Sequence, residues 1–331
     1  MPQPQLTMDE RYVITHMHMA GFTPAAIAGR LGRHRATIGR ELTRNRDTFG
    51  HYHYHHAQHQ AEARRTCASQ RYKLDHGPLG EAVRNGLRQR WSPEQIAGRL
   101  QREHPRDDRW RITAETIYRW IYRRHTRGEH WHEQLRRRRP RRRRRIVGER
   151  RDNRGRLPGR VGIEQRPAVV DRRGRFGDWE SDTVEGAKGT GLLVTHVERK
   201  SRYVRVGQLK DKRAARLSAV SHKVMRDLPA KLRRTLTVDN GKEFADFATM
   251  QRKLKVKVYF ANPHAPWERG VNENTNGLLR EFFPIGSDFR RITAARLADV
   301  ERLMNNRPRK CLNYRSPLEV LNALPGVALR N

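Results

Sequence analysis

A run of nine arginines and one proline, RRRRPRRRRR, occupies residues 136–145 and rules out a single continuous core. Charges of one sign at this density repel one another and bring no apolar surface to bury. We expect a linker, disordered or ordered by a polyanion, that divides the chain into two halves. Its arginines, Arg138 and Arg143 among them, would hold phosphates without reading sequence. A solvated segment with no specific role is the alternative.

The charge of the whole chain points to a polyanionic partner. Of the 331 residues, 71 are Lys or Arg and 35 are Asp or Glu, which gives a formal net charge of +36. Nucleic acid is the first candidate. An anionic membrane is the competing partner, but no long apolar run, signal peptide or lipidation motif supports it. Cys67 and Cys311 have no CxxC partner, so we expect neither a disulfide framework nor a cysteine zinc site.

Residues 6–45, LTMDERYVITHMHMAGFTPAAIAGRLGRHRATIGRELTRN, predict an all-α helix-turn-helix unit. Three helical patterns are separated by Gly21 and by the GRH turn, with Thr23 as N-cap and Pro24 at the first helical position. Apolar contacts between the second and third helices would come from Ile27, Leu31, Ile38 and Leu42. The candidate DNA contacts on the exposed side of the third helix are Arg35, Thr37, Arg40 and Arg44.

A second copy of this pattern occupies residues 91–124, WSPEQIAGRLQREHPRDDRWRITAETIYRWIYRR. Ser92 and Gln95 form a predicted capping box, and Thr113 caps the next helix. The words TPAAIAGRLG and SPEQIAGRLQ are near repeats, so we predict a second helix-turn-helix with Ile117 and Ile121 inward. Its candidate DNA contacts are Tyr118, Arg119 and Arg123. A plain helical hairpin is the alternative for both copies, because this geometry is not unique in sequence.

Histidines are concentrated in HYHYHHAQHQ, residues 51–60. Imidazole is the commonest metal ligand, but no spaced cysteines or carboxylates complete a defined coordination geometry. We therefore expect a solvated or DNA-adjacent helix start here rather than a metal site.

After the arginine run the sequence takes on an α/β pattern. GDWESDTVEG, GLLVTHVERKSRYVRVGQL and TLTVDNG are rich in Val, Thr, Leu and Tyr and predict strands, with ERKSR as a hairpin turn. DKRAARLSAVSHKVMRDL predicts a helix, and VKVYFANP predicts one more strand. The order is three strands, helix, strand, helix, strand, helix, which favours an α/β domain with a mixed five-stranded sheet.

The segment PWERGVNENTNGLLREFFP, residues 266–284, predicts a helix that begins just after Pro266 and stops before Pro284. Residues three, four and seven apart share a helix face. The apolar face would carry Val271, Thr275, Leu278 and Phe282. The polar face would carry Glu273, Asn276, Gly277 and Arg280.

Three carboxylates stand out in this basic half. Asp182 lies on the first strand, Asp239 closes the fourth strand, and Glu273 lies on the later helix. Acidic oxygens gathered at one point suit hard divalent ions such as Mg²⁺ or Mn²⁺. Two such ions about 4 Å apart would activate a water or 3′-hydroxyl and stabilise the leaving oxygen of a phosphodiester.

Each of these carboxylates also has a structural alternative. Asp239 in Asp-Asn-Gly is consistent with turn chemistry, Asp182 with a surface acid at a strand end, and Glu273 with a pairing to Arg269 or Arg280. Asp178, Glu180 and Glu185 flank Asp182, and the pattern alone does not choose among the four.

The segments around the three carboxylates resemble those of a known family. WESDTVEG, LTVDNGKEF and PWERGVNENTNGLLREFFP, with 33 residues between Asp239 and Glu273, resemble the DDE triad of the retroviral-integrase superfamily, and in particular the IS30 family of bacterial insertion-sequence transposases. The resemblance selects Asp182 as the first carboxylate. It implies a ribonuclease-H-like catalytic core and two Mg²⁺ or Mn²⁺ ions at Asp182, Asp239 and Glu273, with no covalent protein nucleophile.

Further residues are expected to support this site. Asn272 and Asn276 would hydrogen-bond Glu273 or a DNA phosphate, and Trp267 would stack on a DNA base, with burial in the core as the alternative for the tryptophan. His264 and Glu243 lie near the predicted strand ends and are weaker candidates.

The expected organisation is multidomain. We assign residues 1–75 and 76–133 to helix-turn-helix domains, 134–165 to the arginine-rich linker and 166–331 to the catalytic core. The expected function is a transposase that binds terminal inverted repeats and target sites in double-stranded DNA, then cleaves and transfers strands as a dimer or higher oligomer. A DNA-binding regulator with an idle core and a nuclease acting on RNA in hybrids are the alternatives. We expect a soluble bacterial protein of the cytoplasm, associated with the nucleoid and not with a membrane.

Overall fold

The computed structural model describes residues 5–70, 74–136, 159–263 and 265–327, with the backbone alone for residues 66–70 and 266. Most of the arginine run, including Arg138 and Arg143, lies outside these ranges, as does His264. The chain divides into two compact units, Met1–Gly80 and Glu81–Asn331. Within the described ranges, no helix is long and apolar enough to cross a bilayer.

The first unit contains the predicted helix-turn-helix. Thr7 and Glu10 form a capping box at the start of its first helix, and Thr23 caps the second helix, as expected. The turn after the second helix closes at Gly32, whose φ of 61° favours glycine. The core is formed by buried residues from all four helices and from the segment just before the fourth helix, namely Ile14, Ile27, Ala28, Ile38, Leu42, Tyr52 and Ala57. The helices are α1 (Met8–Met19), α2 (Pro24–Leu31), α3 (Arg35–Arg44) and α4 (Tyr54–Gln70).

The other helix-turn-helix opens the second unit, apart from residues 77–80 of its first helix, which fall in the first unit. Ser92 and Gln95 form the predicted capping box, and Thr113 caps the third helix. Ile117 and Ile121 are fully buried, as their spacing predicted. A 3₁₀ turn, Trp131–Gln134, follows. The helices are α5 (Gly77–Arg88), α6 (Pro93–Glu103) and α7 (Ala114–His125).

The core of the second unit is a mixed five-stranded sheet with the strand order β3-β2-β1-β4-β5. The first three strands are antiparallel, whereas β4 pairs in parallel with both β1 and β5. This confirms the expected ribonuclease-H-like fold class. The strands are β1 (Asp178–Glu185), β2 (Leu192–Glu198), β3 (Val204–Leu209), β4 (Thr235–Val238) and β5 (Lys257–Phe260).

Helices cover both faces of this sheet. The helices are α8 (Ala168–Asp171), α9 (Ala214–Met225), α10 (Phe247–Leu254), α11 (Gly270–Leu279), α12 (Ala294–Asn306) and α13 (Pro317–Asn322). One buried cluster joins Trp179 of β1 to α9, α10 and α13. The other joins Val184 of β1 to α11 and α12. The side chains of β1 therefore reach both helical layers, because successive residues of a strand point to opposite faces.

Helix α11 differs from its prediction at both ends. Pro266–Arg269 form a 3₁₀ turn, and the α-helix begins at Gly270. It ends at Leu279 because the backbone amides of Glu281 and Phe282 donate to the carbonyls three residues earlier, as in a 3₁₀ turn. The side chain of Phe283 is then buried in the core. Val271, Thr275 and Leu278 are buried, as expected for the inward face.

The second helix-turn-helix packs on the end of the α/β core. The ring of Tyr314 lies over Gly98 of α6 so closely that a Cβ at that position would lie 2.2 Å from the ring. The neighbouring Arg99 forms a bidentate ion pair with Glu319 of α13, with N–O distances of 2.6 and 2.7 Å. These contacts make α6 and α13 neighbours although Arg99 and Glu319 are 220 residues apart in the chain.

Candidate active site

Strand register places Asp182 and Asp239 side by side. Glu180 of β1 pairs with Thr237 of β4 in the parallel ladder. Asp182 and Asp239 are each two residues further along, so both side chains lie on the same face of neighbouring strands. Both are partly exposed, with 24% and 23% of the side-chain surface accessible. The topology thus brings together two of the three carboxylates singled out from the sequence.

Hydrogen bonds hold both carboxylates in place. The side-chain amide of Asn276 donates to Asp182 Oδ2 at 3.0 Å, and the Thr183 amide donates to Oδ1 at 2.9 Å. The Gly241 amide donates to Asp239 Oδ1 at 2.9 Å, so the expected turn chemistry of Asp-Asn-Gly is present as well. These bonds fix the orientation of both side chains.

A single arginine lies between the two aspartates. Arg269 Nη1 is 3.2 Å from Asp182 Oδ1, and Arg269 Nη2 is 3.5 Å from Asp239 Oδ2. Burial raises the pKa of Asp182; the Arg269 guanidinium opposes this rise and the Asp239 carboxylate adds to it. The sequence predicted Arg269 only as a helical partner for Glu273. No periodic signal reveals its actual position, because it belongs to the 3₁₀ turn ahead of α11.

Glu273 lies in the first turn of α11, exposed to solvent. It makes no hydrogen bond or ion pair with the described part of the chain. The alternative partner Arg280 instead donates to the Glu185 carbonyl at 2.7 Å. The oxygens of Asp182, Asp239 and Glu273 do not all lie within 4.8 Å of one another. The structure therefore pairs the aspartates and presents Glu273 as a free carboxylate on a helix that packs against β1.

Two other carboxylates of β1 are buried. Asp178 and Glu180 are each 1% exposed. Asp178 is bound by Arg175 and the Thr235 hydroxyl. Glu180 is bound by Arg199 and by the backbone amide of Asn272. Burial raises the pKa of Glu180, although Arg199 opposes the rise. The contacts of both residues are those of structural groups.

Glu185, at the exposed end of β1, forms an ion pair with Lys212. Asp182 is the acid of this strand that faces another carboxylate. The four acids of β1, which the sequence pattern alone did not rank as candidates, are thus distinguished by their contacts.

The expected supporting residues occupy different settings. Asn272 is fully buried and bonds Thr195, not Glu273. Asn276 links Asp182 to the same Thr195 hydroxyl, which lies 2.9 Å from its amide oxygen. Trp267 is 75% exposed and does not enter the core. Glu243 accepts from the Thr183 hydroxyl at 3.1 Å, which adds a fourth carboxylate near the aspartates.

A cavity of about 170 Å³ opens beside the start of α11. Its lining includes Arg173, Arg202 and Arg309 together with Gly270, Val271 and Asn274, and none of its described lining residues is a carboxylate. Arg309 is 8% exposed, and burial next to Arg307 lowers its pKa to about 10. Arg202 Nη1 and Arg309 Nε are buried without a hydrogen-bond partner among the described residues. Clustered guanidinium groups with unused donors suit an anion.

The residues predicted to read DNA lie on the third helix of each helix-turn-helix. On α3, Arg35, Arg40 and Arg44 are exposed, and Thr37 is half-buried. On α7, Arg119 is exposed, and Tyr118 and Arg123 are half-buried. These helices present basic side chains outward while their apolar positions face the core. Arg138 and Arg143 cannot be placed, since they lie outside the described residues.

Comparison with known proteins agrees with this architecture. The helix-turn-helix domain family matches residues 3–45. The transposase for insertion sequence element IS4351 of Bacteroides fragilis is 38% identical over 315 residues, covering 95% of this chain and 94% of that protein. The transposase for element IS1086 of Cupriavidus metallidurans is 38% identical over 326 residues, covering 96% and 94%.

A third relative and one solved structure extend the comparison. A simian T-cell lymphotropic virus intasome, in complex with a PP2A regulatory subunit, matches at 17% identity with a TM-score of 0.39, covering 54% of this chain and 62% of that chain. Transposase InsI for element IS30A of Escherichia coli K12 is 37% identical over 337 residues, covering 98% of this chain and 84% of that protein. With such identity to curated transposases along nearly its whole length, the chain belongs to the IS30 family of insertion-sequence transposases.

Proposed function

We propose that this chain cuts DNA strands at the terminal inverted repeats of its insertion sequence and joins them to a target, with Mg²⁺ or Mn²⁺ held by Asp182, Asp239 and Glu273. The observation that carries the proposal is the pair of aspartates on adjacent parallel strands with a cation, the Arg269 guanidinium, between them. Glu273, without a partner in the described chain, supplies a third carboxylate from α11.

The donor set fits a hard divalent ion. Two partly buried carboxylates side by side repel each other unless a positive charge lies between them. Carboxylate oxygens are the ligands that Mg²⁺ and Mn²⁺ prefer. When bound, such ions supply Lewis-acid activation of the attacking hydroxyl and stabilise the leaving oxygen of a phosphodiester. Arg269 would serve as the counter-ion of the aspartates before the metal binds and would then pair with the DNA.

The protein's own groups position this chemistry. Asn276 and the Thr183 amide fix the orientation of Asp182, and the Gly241 amide fixes Asp239. Oriented carboxylates lose less entropy when a ligand binds. Glu273 makes no hydrogen bond or ion pair with the described chain, so its carboxylate would be available to a metal ion held by the aspartates.

The rest of the molecule would bind DNA. The outward residues of α3 and α7 would read the terminal repeats, and the arginine run would hold the backbone. The arginine-lined cavity would take a strand phosphate beside the start of α11, the helix that carries Glu273. We further propose that two or more chains act together on paired ends, and that the chain is organised as two DNA-reading domains, a basic linker and a catalytic core.

The test is cleavage of a labelled duplex that carries one end of the element. Wild type and Asp239→Asn are compared in Mg²⁺ and in EDTA, with Glu185→Gln as a matched control from the exposed end of β1. We expect nicking at the element boundary that requires the metal, persists in Glu185→Gln and is lost in Asp239→Asn. End binding without cleavage in wild type would contradict the proposal and favour a DNA-binding regulator.

A further inference from the structure

Three histidines form a compact group far from the acidic centre in sequence. One ligand nitrogen from each of His125, His130 and His132 lies within 4.8 Å of the other two. His125 ends α7, His130 precedes the 3₁₀ turn and His132 lies within it. In the described ranges, no other set of three or more potential metal ligands meets this distance.

Two of these imidazoles, one in a buried residue and one in a half-buried residue, each have a buried ring nitrogen without a described partner. His132 is 8% exposed, and its Nδ1 has no hydrogen-bond partner in the described part of the chain. The Nδ1 of His125 is likewise buried without a described partner. The two rings meet edge to face with centroids 4.2 Å apart. A buried ring nitrogen without a partner costs free energy, and a metal ion is one ligand that satisfies several such nitrogens at once.

We propose that His125, His130 and His132 bind a divalent transition-metal ion of the zinc class. Three imidazoles with an open fourth position form a tetrahedral set that Zn²⁺ accepts and that Mg²⁺ disfavours. The fourth ligand is water or Glu133, whose Oε1 is 3.8 Å from His130 Nδ1. This site is separate from the carboxylate centre in both residues and metal chemistry.

The ion would tie the end of a DNA-reading helix to the start of the arginine run. His125 is the last residue of α7, and His132 lies four residues before Arg136. Trp131, between two of the ligands, packs on Trp120 of α7 with ring centroids 5.6 Å apart. Arg90 donates to the Glu133 carbonyl at 2.7 Å. The bound metal would therefore hold residues 130–132, which lie just ahead of the arginine run, against the end of α7.

Retention of zinc by the full-length chain tests the site. The chain is stripped with a chelator, equilibrated with Zn²⁺ in excess Mg²⁺ and dialysed, and the metal content is measured by atomic emission. His130→Ala is the first variant, because His130 is exposed and we expect its loss to leave the fold intact. The matched control is the double variant His55→Ala/His59→Ala, which removes two exposed histidines one turn apart on α4.

We expect one zinc per wild-type chain and per control chain, and zinc affinity at least about tenfold weaker in His130→Ala. Substitution by Co²⁺ should give the absorption of a tetrahedral ion in wild type and in the control, and not in His130→Ala. Trypsin should cut more slowly after Arg127, in the loop between the ligands, when zinc is present. A wild type that retains no zinc, equal retention by His130→Ala, or loss in the α4 control instead would each overturn the proposal.

Discussion

The Arg269 guanidinium lies within 3.5 Å of both aspartates, whereas Glu273 has no partner in the described chain. The contrast follows from chemistry: adjacent carboxylates need a cation, and an isolated, solvated one does not. Under the proposed function, Glu273 gains its role only when a metal ion replaces the arginine. Its removal should therefore affect catalysis and leave the fold unchanged.

Glu273→Gln should reduce strand cleavage and joining by at least about a hundredfold, because it removes a metal-binding charge at nearly constant shape. End binding should be unchanged in a gel-shift measurement. Glu185→Gln, an exposed carboxylate paired with Lys212, is the control and should keep full activity. Full activity in Glu273→Gln would show that the carboxylate is not part of the site.

His196 gives the fold a pH dependence that is separate from catalysis. It is fully buried in β2, and burial lowers its pKa to about 3, with Arg205 adding to the effect. In the unfolded chain the pKa is about 6.5. As the pH falls below that value, the unfolded chain takes up a proton that the folded chain refuses. The free energy of unfolding then decreases by up to about 1.4 kcal/mol per pH unit.

Urea unfolding at pH 7.5 and pH 5 measures this effect. His196→Leu should remove about 2 kcal/mol of the loss in stability between these pH values, since Leu binds no proton. His222→Gln, a half-buried histidine on α9, is the control and should behave like wild type. An identical pH dependence in wild type and His196→Leu would mean that His196 is protonated in the folded state.

At the scale of elements, α11 combines three features. Its buried face packs on the sheet, its first turn carries Glu273, and its start borders the arginine-lined cavity. A phosphate in that cavity would lie beside the helix that holds the proposed catalytic glutamate. The N-terminal end of the helix also favours an anion there.

Arg202→Gln should weaken binding to a duplex carrying the element's end and should lower the slope of log affinity against log salt by about 1, the value for one lost phosphate contact. The change does not alter backbone strain, because Arg202 and Gln meet the same φ of 64°. Arg226→Gln, exposed just after the end of α9, is the control. Equal slopes for Arg202→Gln and wild type would exclude a phosphate in the cavity.

Local signals in the sequence predict the helices and strands well, but they predict poorly which residues contact one another in the folded chain. Thr23 and Ser92 were identified as caps because capping acts over three residues, and the succession of strands followed from short apolar runs. The end of α11 at Leu279 was missed, since it depends on Phe283 turning into the core. The position of Arg269 was missed for a similar reason, because tertiary register alone brings it between two strands.

The histidine group shows the same limit. The sequence drew attention to residues 51–60, where histidines are dense, yet the nitrogens that converge belong to residues 125–132. Their convergence depends on the turn after α7, which has no sequence signature of a metal site. Which β1 carboxylate faces Asp239 was also open until the register of β1 against β4 was known.

At the scale of the whole molecule, the two copies of the sequence motif AGRL, residues 28–31 and 97–100, have different environments. A methyl group added at Gly29, in the first AGRL, would meet no described atom within 4 Å, whereas Gly98 in the second AGRL lies under the Tyr314 ring. Alanine at Gly29 should stabilise its helix by about 0.5–1 kcal/mol. Alanine at Gly98 should instead cost about 1–3 kcal/mol, because the ring must move.

Denaturation followed by tryptophan fluorescence distinguishes the two. All six tryptophans lie between residues 91 and 267, within the second unit. We expect Gly98→Ala to shift the transition to lower denaturant concentration and Gly29→Ala to leave it in place. A Gly98→Ala protein as stable as wild type would mean that Tyr314 does not hold α6 to the core.

Helix α6 packs under the Tyr314 ring and pairs with Glu319 through Arg99. This packing has a geometric consequence for the proposed cleavage of DNA. The second helix-turn-helix and the sheet belong to one compact unit. Under the proposed function, the protein itself would therefore set the distance from the base pairs bound by α7 to the phosphate that is cut. Inserting base pairs between those two points in the DNA should then move the cut along the sequence, at a constant distance from where the helix is bound.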